Sequence, residues 1–115
     1  MYGLIGSFKA APGRRDALIS LLLSSVGGMP GCRSYVVAED PADPDTVWIT
    51  EVWEDAASHR SSLQWPAVQA AIARAKPLIA SFGEHRVLEV VGGHGLCGES
   101  HEAPQGGGDS PRDSR

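Results

Sequence analysis

The chain has 115 residues, 42% of them hydrophobic, and a formal net charge of −4. That is the size of one domain, its acidic balance argues against a non-specific nucleic-acid surface, and no apolar run reaches the roughly 18 residues of a membrane-spanning helix. Two cysteines, Cys32 and Cys97, give no disulfide framework, and the first residues lack the basic stretch of a signal peptide, so a reduced, cytoplasmic protein is expected.

Taken in order, Tyr2 to Lys9 reads as a first strand, stopped by Ala10-Ala11-Pro12-Gly13. Its glycines, Gly3 and Gly6, suggest close approach by a backbone or a ligand, or merely a weak strand. Residues 13–26 read as a helix with Ala17, Leu18, Leu21, Leu22 and Ser25 at helical spacing. Arg14 and Arg15 stand in its first turn, where cations oppose the helix dipole, so another partner for them is expected. Gly27-Gly28 ends the helix and Met29-Pro30-Gly31 makes a turn.

Cys32 to Asp40 is a second strand, Asp40-Pro41-Ala42-Asp43-Pro44-Asp45 a turn, and Thr46 to Trp53 a third strand antiparallel to the second. Alternation puts Glu51 and Trp53 on one face and Trp48 on the other. Glu54-Asp55 opens a short helix to about Leu63, and Pro66 suits the first position of the next. That helix carries Val68, Ala71, Ile72 and Ala75 on one face. Pro77 ends or kinks it, and Leu78, Ile79 and Phe82 continue its apolar stripe toward Gly83. His85 to Val91 is a last strand. Residues 1–91 thus form the domain, and the Gly-, Ser- and Pro-rich residues 92–115 are expected to be a mobile tail.

The order βαββαβ is a ferredoxin-like α+β unit. A domain this small buries a limited fraction of its surface, so a second copy would help it. At the strands and turns Tyr2 to Lys9, Pro12 to Asp16 and Met29 to Tyr35, then at Glu51-Val52-Trp53-Glu54-Asp55 with Ser58-His59 and at Pro66-Ala67-Val68, the chain resembles the antibiotic biosynthesis monooxygenase family. The resemblance covers residues 1 to about 91. It implies a homodimeric α+β barrel with a ligand cavity in each copy. It also implies a cofactor-independent monooxygenase acting with molecular oxygen on a hydroquinone or phenolic substrate, such as a polyketide-type one. The chain contains no asparagine, whereas the polyketide-tailoring and haem-degrading branches use an active-site Asn. The quinol-oxygenase-like branch looks closest, at Trp53 and His59.

Such chemistry needs a dry cavity, a base, and donors for an oxyanion or peroxide. His59 is the candidate base, since imidazole as a side-chain type titrates near neutrality; otherwise it is a surface histidine. Trp53 would stack on the substrate and donate its indole N–H, or pack in the core. Glu51 would act as acid or base, or pair with Arg33, Arg74 or Arg86. Tyr35 would supply a hydroxyl donor, Arg86 would hold an anionic group, and Trp65 would cap the cavity or staple its helix. His94, Cys97 and His101 have ligand chemistry suited to zinc, but the Gly-rich tail offers no frame for a tetrahedron, so no metal site is assigned. The alternatives are a non-catalytic small-molecule-binding dimer, and a cofactor-free cyclase or isomerase using the same cavity.

Overall fold

The computed structural model describes residues 1–24 and 29–96. Four strands, β1 (Tyr2–Ala10), β2 (Cys32–Glu39), β3 (Thr46–Trp53) and β4 (Ile79–Glu89), form one antiparallel sheet in the order β2-β3-β1-β4. Helices α1 (Arg15–Ser24), α2 (Ala56–Ser62) and α3 (Pro66–Ala75) belong to the same α+β unit, and a 3₁₀ turn (Lys76–Leu78) leads into β4. This is the ferredoxin-like arrangement that the element order implied.

The register fixes the faces. Glu51 stands opposite Leu4 of β1 and Tyr35 of β2, and Trp53 stands opposite Tyr2. With period-2 alternation, Val47, Ile49, Glu51 and Trp53 share the helix side, while Trp48 lies on the other. There the Trp48 indole donates to the Asp40 carboxylate at 3.1 Å. The buried core gathers at the far end of the sheet, where Ala10, Val47 and Ile49 meet Leu18 of α1 and Ala75 of α3.

Arg15 finds the partner its position called for. Its guanidinium donates to the carbonyls of Asp43 at 2.8 Å, Asp40 at 3.3 Å and Thr46 at 3.4 Å, and pairs with Glu39 at 3.4 Å. It therefore ties the start of α1 to the β2–β3 turn. Gly6 answers the close-approach reading, since a Cβ there would lie 3.2 Å from the Glu84 carbonyl of β4; at Gly3 the crowding comes from a side chain, Val90 Cγ2 at 2.6 Å, just past β4.

One element differs from the sequence expectation. Residues 79–84 continue β4 rather than extending a helical stripe. Pro77 stops the helix and confines it to a single 3₁₀ turn. The apolar residues beyond it pair with β1 instead, Phe82 opposite Phe8 and Ile79 opposite Ala10. A bulge interrupts this ladder between Gly6 and Phe8. Ser7, buried beside it, accepts a hydrogen bond from the Glu84 backbone N–H at 2.9 Å. Residues 92–96 have no regular structure, and the metal pattern's Cys97 and His101 lie outside the described residues, as does most of the expected tail.

Candidate functional site

The site forms where β3 hands over to α2. Asp55 adopts an extended backbone and its carboxylate accepts from the Ser58 N–H at 2.8 Å, which caps α2 two residues after the strand ends. His59 is thereby held one turn into the helix, back over the strand it follows. Its ring lies 5.5 Å from that of Trp53, edge-on at 65°, and 5.6 Å from Tyr2. The Met29–Gly31 turn supports the same junction. Gly31 has φ +82°, and a Cβ on it would collide with the Ser58 side chain at 2.5 Å.

Glu51 is the hub. Its Oε1 accepts from the Trp53 indole N–H at 2.9 Å and lies 3.9 Å from His59 Nε2. The Glu51 and His59 side chains are only 18% and 20% exposed, so the pair is screened far less than a surface one. Tyr35 stands beside Glu51 across the β2–β3 ladder. Burial foremost, then the charge of Glu51 and the proximity of Cys32, push the Tyr35 phenol well above its ordinary pKa, so it stays protonated.

These groups line one end of a cavity of about 290 Å³ between the sheet and the helices. The rest of the lining is almost wholly apolar. Leu21 and Leu22 come from α1, Val68, Ala71 and Ile72 from α3, and Ile49, Phe8 and Phe82 from the sheet; Ser62 and Lys76 are the exceptions. A second cavity, of about 270 Å³, adjoins it at Phe8, Ile49, Glu51 and Phe82 and runs along the bulged β1–β4 ladder. Among the described residues no group of three or more His, Cys, Asp or Glu side chains is placed to hold a metal ion, and no helix is long and apolar enough to cross a membrane.

The structure brings His59, Glu51, Trp53 and Tyr35 together and leaves two other expected residues outside. Arg86 pairs with Ile5 in the sheet, which turns it away from the helix side, and it sits 72% exposed beside Glu84. It lines neither of these two cavities. Trp65 is the N-cap residue of α3, 40% exposed and absent from the lining, so it does not cap the cavity. Two roles also shift. The Trp53 indole N–H is already engaged by Glu51, so its ring is left as a wall. Glu51 pairs with His59 rather than an arginine, and Arg33 pairs instead with Glu54 at 3.7 Å. Sequence reasoning missed Phe8, Met29, Ser62, Leu63 and Phe82 as lining residues. The apolar ones had the signature of ordinary core, and nothing in their spacing told a cavity wall from a packed interior.

A family model for antibiotic biosynthesis monooxygenases matches residues 1–74. The chain belongs to the antibiotic biosynthesis monooxygenase family. A solved structure of a protein from Chloroflexus aurantiacus J-10-fl, described as a member of this family, is 58% identical, covers 83% of this chain and 97% of its own, and superposes with a TM-score of 0.81. Another, from Deinococcus radiodurans, is 25% identical over 85% of this chain and 100% of its own, with a TM-score of 0.69. A Pseudomonas aeruginosa protein shares the fold alone, at 22% identity over 79% of this chain and 94% of its own, with a TM-score of 0.70. A comparison with curated proteins finds no match. The matched span of this monooxygenase-family chain contains β1 to β3, α2 and most of α3, and so every residue of the polar cluster.

Proposed function

We propose that the chain is a cofactor-independent monooxygenase that oxidises a hydroquinone or phenolic substrate with molecular oxygen. The observation that carries this reading is the Glu51–His59 pair set into a largely apolar cavity that Tyr35, the ladder partner of Glu51, also lines. His59 takes the phenolic proton, and Glu51 stabilises the imidazolium that results. The electron-rich phenolate gives one electron to triplet oxygen, which removes the spin barrier. The radical pair then joins at a ring carbon to form a hydroperoxide. Loss of water from it leaves a quinone carbonyl. One oxygen atom enters the ring and the other leaves as water. All four electrons come from the substrate, so the reaction needs no external reductant. Tyr35, kept protonated, donates to the oxyanion, and the apolar walls exclude water from the intermediate.

The test is oxygen uptake by the metal-free protein with a panel of phenols and hydroquinones. Uptake above the autoxidation blank that is lost in His59→Ala, with the fold intact by circular dichroism, is the expected result. Binding without uptake would overturn it and assign the cavity to ligand binding or to cyclisation or isomerisation without oxygen.

The working unit we propose is a homodimer. β4 is an 11-residue edge strand with Phe82 73%, Val87 57% and Leu88 45% exposed. A long apolar edge left to solvent is a template for unwanted pairing, and a second copy covers it. We assign the protein to the cytoplasm, on its two-cysteine composition.

A further inference from the structure

The cavity's polar lining residues are few: Glu51, His59, Tyr35, Ser62 and, apart from them, Lys76. Glu51, His59, Tyr35 and Ser62 come from neighbouring positions on β3, α2 and β2. Tyr35 is the ladder partner of Glu51, His59 lies 3.9 Å from it, and Ser62 is one helical turn beyond His59. Within this cluster the donors are unequally engaged. The Trp53 N–H is taken by Glu51, and the Ser62 hydroxyl donates to the His59 carbonyl at 2.6 Å. The Tyr35 hydroxyl has no hydrogen-bond partner among the described residues, although it lines the cavity and burial keeps it protonated. It is a donor waiting for an acceptor that the protein itself does not supply.

One alternation further along β3 the floor becomes Ile49, and on β1 it continues to Phe8, which packs edge-on against Phe82 at 5.3 Å. From Leu4, opposite Glu51, to Phe8 is roughly 14 Å of strand. The facing helical wall is Leu21, Leu22, Ala71 and Ile72. The one charged group beyond the cluster, Lys76, lies at the far end with Ala75 and Ile79. A ring bound at the cluster therefore has hydrogen-bonding groups along one edge and hydrocarbon against the opposite edge.

We propose that the cavity selects aromatic substrates whose oxygens lie on one edge of the ring, monophenols or vicinal diols with an apolar body, and discriminates against 1,4-hydroquinones. This rests on the phenol-oxidising reading and narrows its substrate class. In a vicinal diol, one oxygen accepts from Tyr35 and yields its proton to His59, while the neighbouring hydroxyl donates to Glu51. In a 1,4-hydroquinone the second hydroxyl is pressed against apolar wall with no partner. A buried hydroxyl left unsatisfied weakens binding by about 10- to 100-fold. Tyr35, the cluster's unengaged donor, meets the first oxygen of every such substrate; the apolar lining opposite it sets the preference.

The experiment is an anaerobic titration of the full chain with two isomers of equal size, 4-propylcatechol and 2-propylhydroquinone, and with 4-propylphenol, followed by tryptophan fluorescence. The catechol is expected to bind at least about 10-fold more tightly than the hydroquinone, with the monophenol also ahead of the hydroquinone. Tyr35→Phe is expected to weaken the catechol, the monophenol and the hydroquinone by similar factors and to leave the gap at about 10-fold or more. Equal or reversed affinities in the wild-type protein overturn the proposal and leave the phenol-binding reading standing. Failure of all three to bind overturns both. Selective binding without oxygen uptake supports the selectivity and refutes only the oxygenase chemistry. The isomer comparison needs no variant, so it remains decisive if Tyr35→Phe folds poorly.

Discussion

The Trp53–Glu51 hydrogen bond is the interaction on which the site's geometry turns, and a double-mutant cycle measures it. The bond is 2.9 Å long, its acceptor is a carboxylate, and the Trp53 side chain is 1% exposed. A hydrogen bond to a charged group contributes about 1.5–3 kcal/mol, near the top of that range when water is excluded. Trp53→Phe removes the donor and part of a ring, adding a packing loss of about 1–2 kcal/mol. Glu51→Met removes the acceptor at similar volume but strands the indole N–H. It also removes the charge beside His59. The cycle cancels these private losses and retains the coupling. Urea unfolding of wild type, both single variants and the double variant, at one fixed protomer concentration, is expected to give a coupling energy of about 1.5–3 kcal/mol. A coupling below about 0.5 kcal/mol, the scatter expected of independent sites, would refute the claim that Trp53 anchors Glu51.

Three further outcomes follow from the same structure. Arg15→Ala frees the β2–β3 turn from the start of α1 and lowers stability by about 1–3 kcal/mol in the same urea assay; Arg15→Lys recovers little of it, because one ammonium cannot replace the planar fork. Asp43 is held down to about 2 by the Lys9 ammonium, the Asp45 backbone N–H and the Thr46 side chain. A depressed carboxylate stabilises fully above its ordinary value of 3.8 and loses that effect as pH falls toward 2. Asp43→Asn should therefore flatten the acid limb of stability between those values, and a carbon-detected titration midpoint for Asp43 near 3.8 would count against it. Light scattering at micromolar concentration should return twice the 12.1 kDa chain mass, and Phe82→Glu should shift it toward one; a wild-type monomer contradicts the homodimer.

What the sequence made legible was local and periodic. Strand alternation alone separated Trp53 and Glu51 from Trp48, and the start of α2 could be read from a strand ending in Glu-Asp. The failures have physical causes. Leu78, Ile79 and Phe82 have helical spacing, yet Ile79 and Phe82 lie in β4. The bulge explains why period failed: Phe82 and His85 are three residues apart but oppose Phe8 and Gly6, which are two apart on β1. An odd spacing thus shares one face of a sheet. Arg86 could be misplaced because a charge says nothing of the face it occupies until register is known. The cavity's apolar walls were not legible in the residues themselves, although the family resemblance implied a cavity and four of its lining residues were named. Apolar residues on α1 and α3 carry the same pattern whether they meet the sheet or stand away from it.

That gap bears on why the polar pair persists. A single change at Trp53 or Glu51 leaves the other partner buried and unsatisfied, so each is expected to destabilise. Replacing both by apolar groups removes the unsatisfied atom along with the bond, and such exchanges are often close to neutral. The Trp53→Phe/Glu51→Met double variant should therefore be more stable than either single one and differ from wild type mainly by the lost ring packing. If so, folding does not require the carboxylate. A half-buried carboxylate that folding does not require, set 3.9 Å from a histidine in a largely apolar cavity, is what the proposed phenol-binding role calls for.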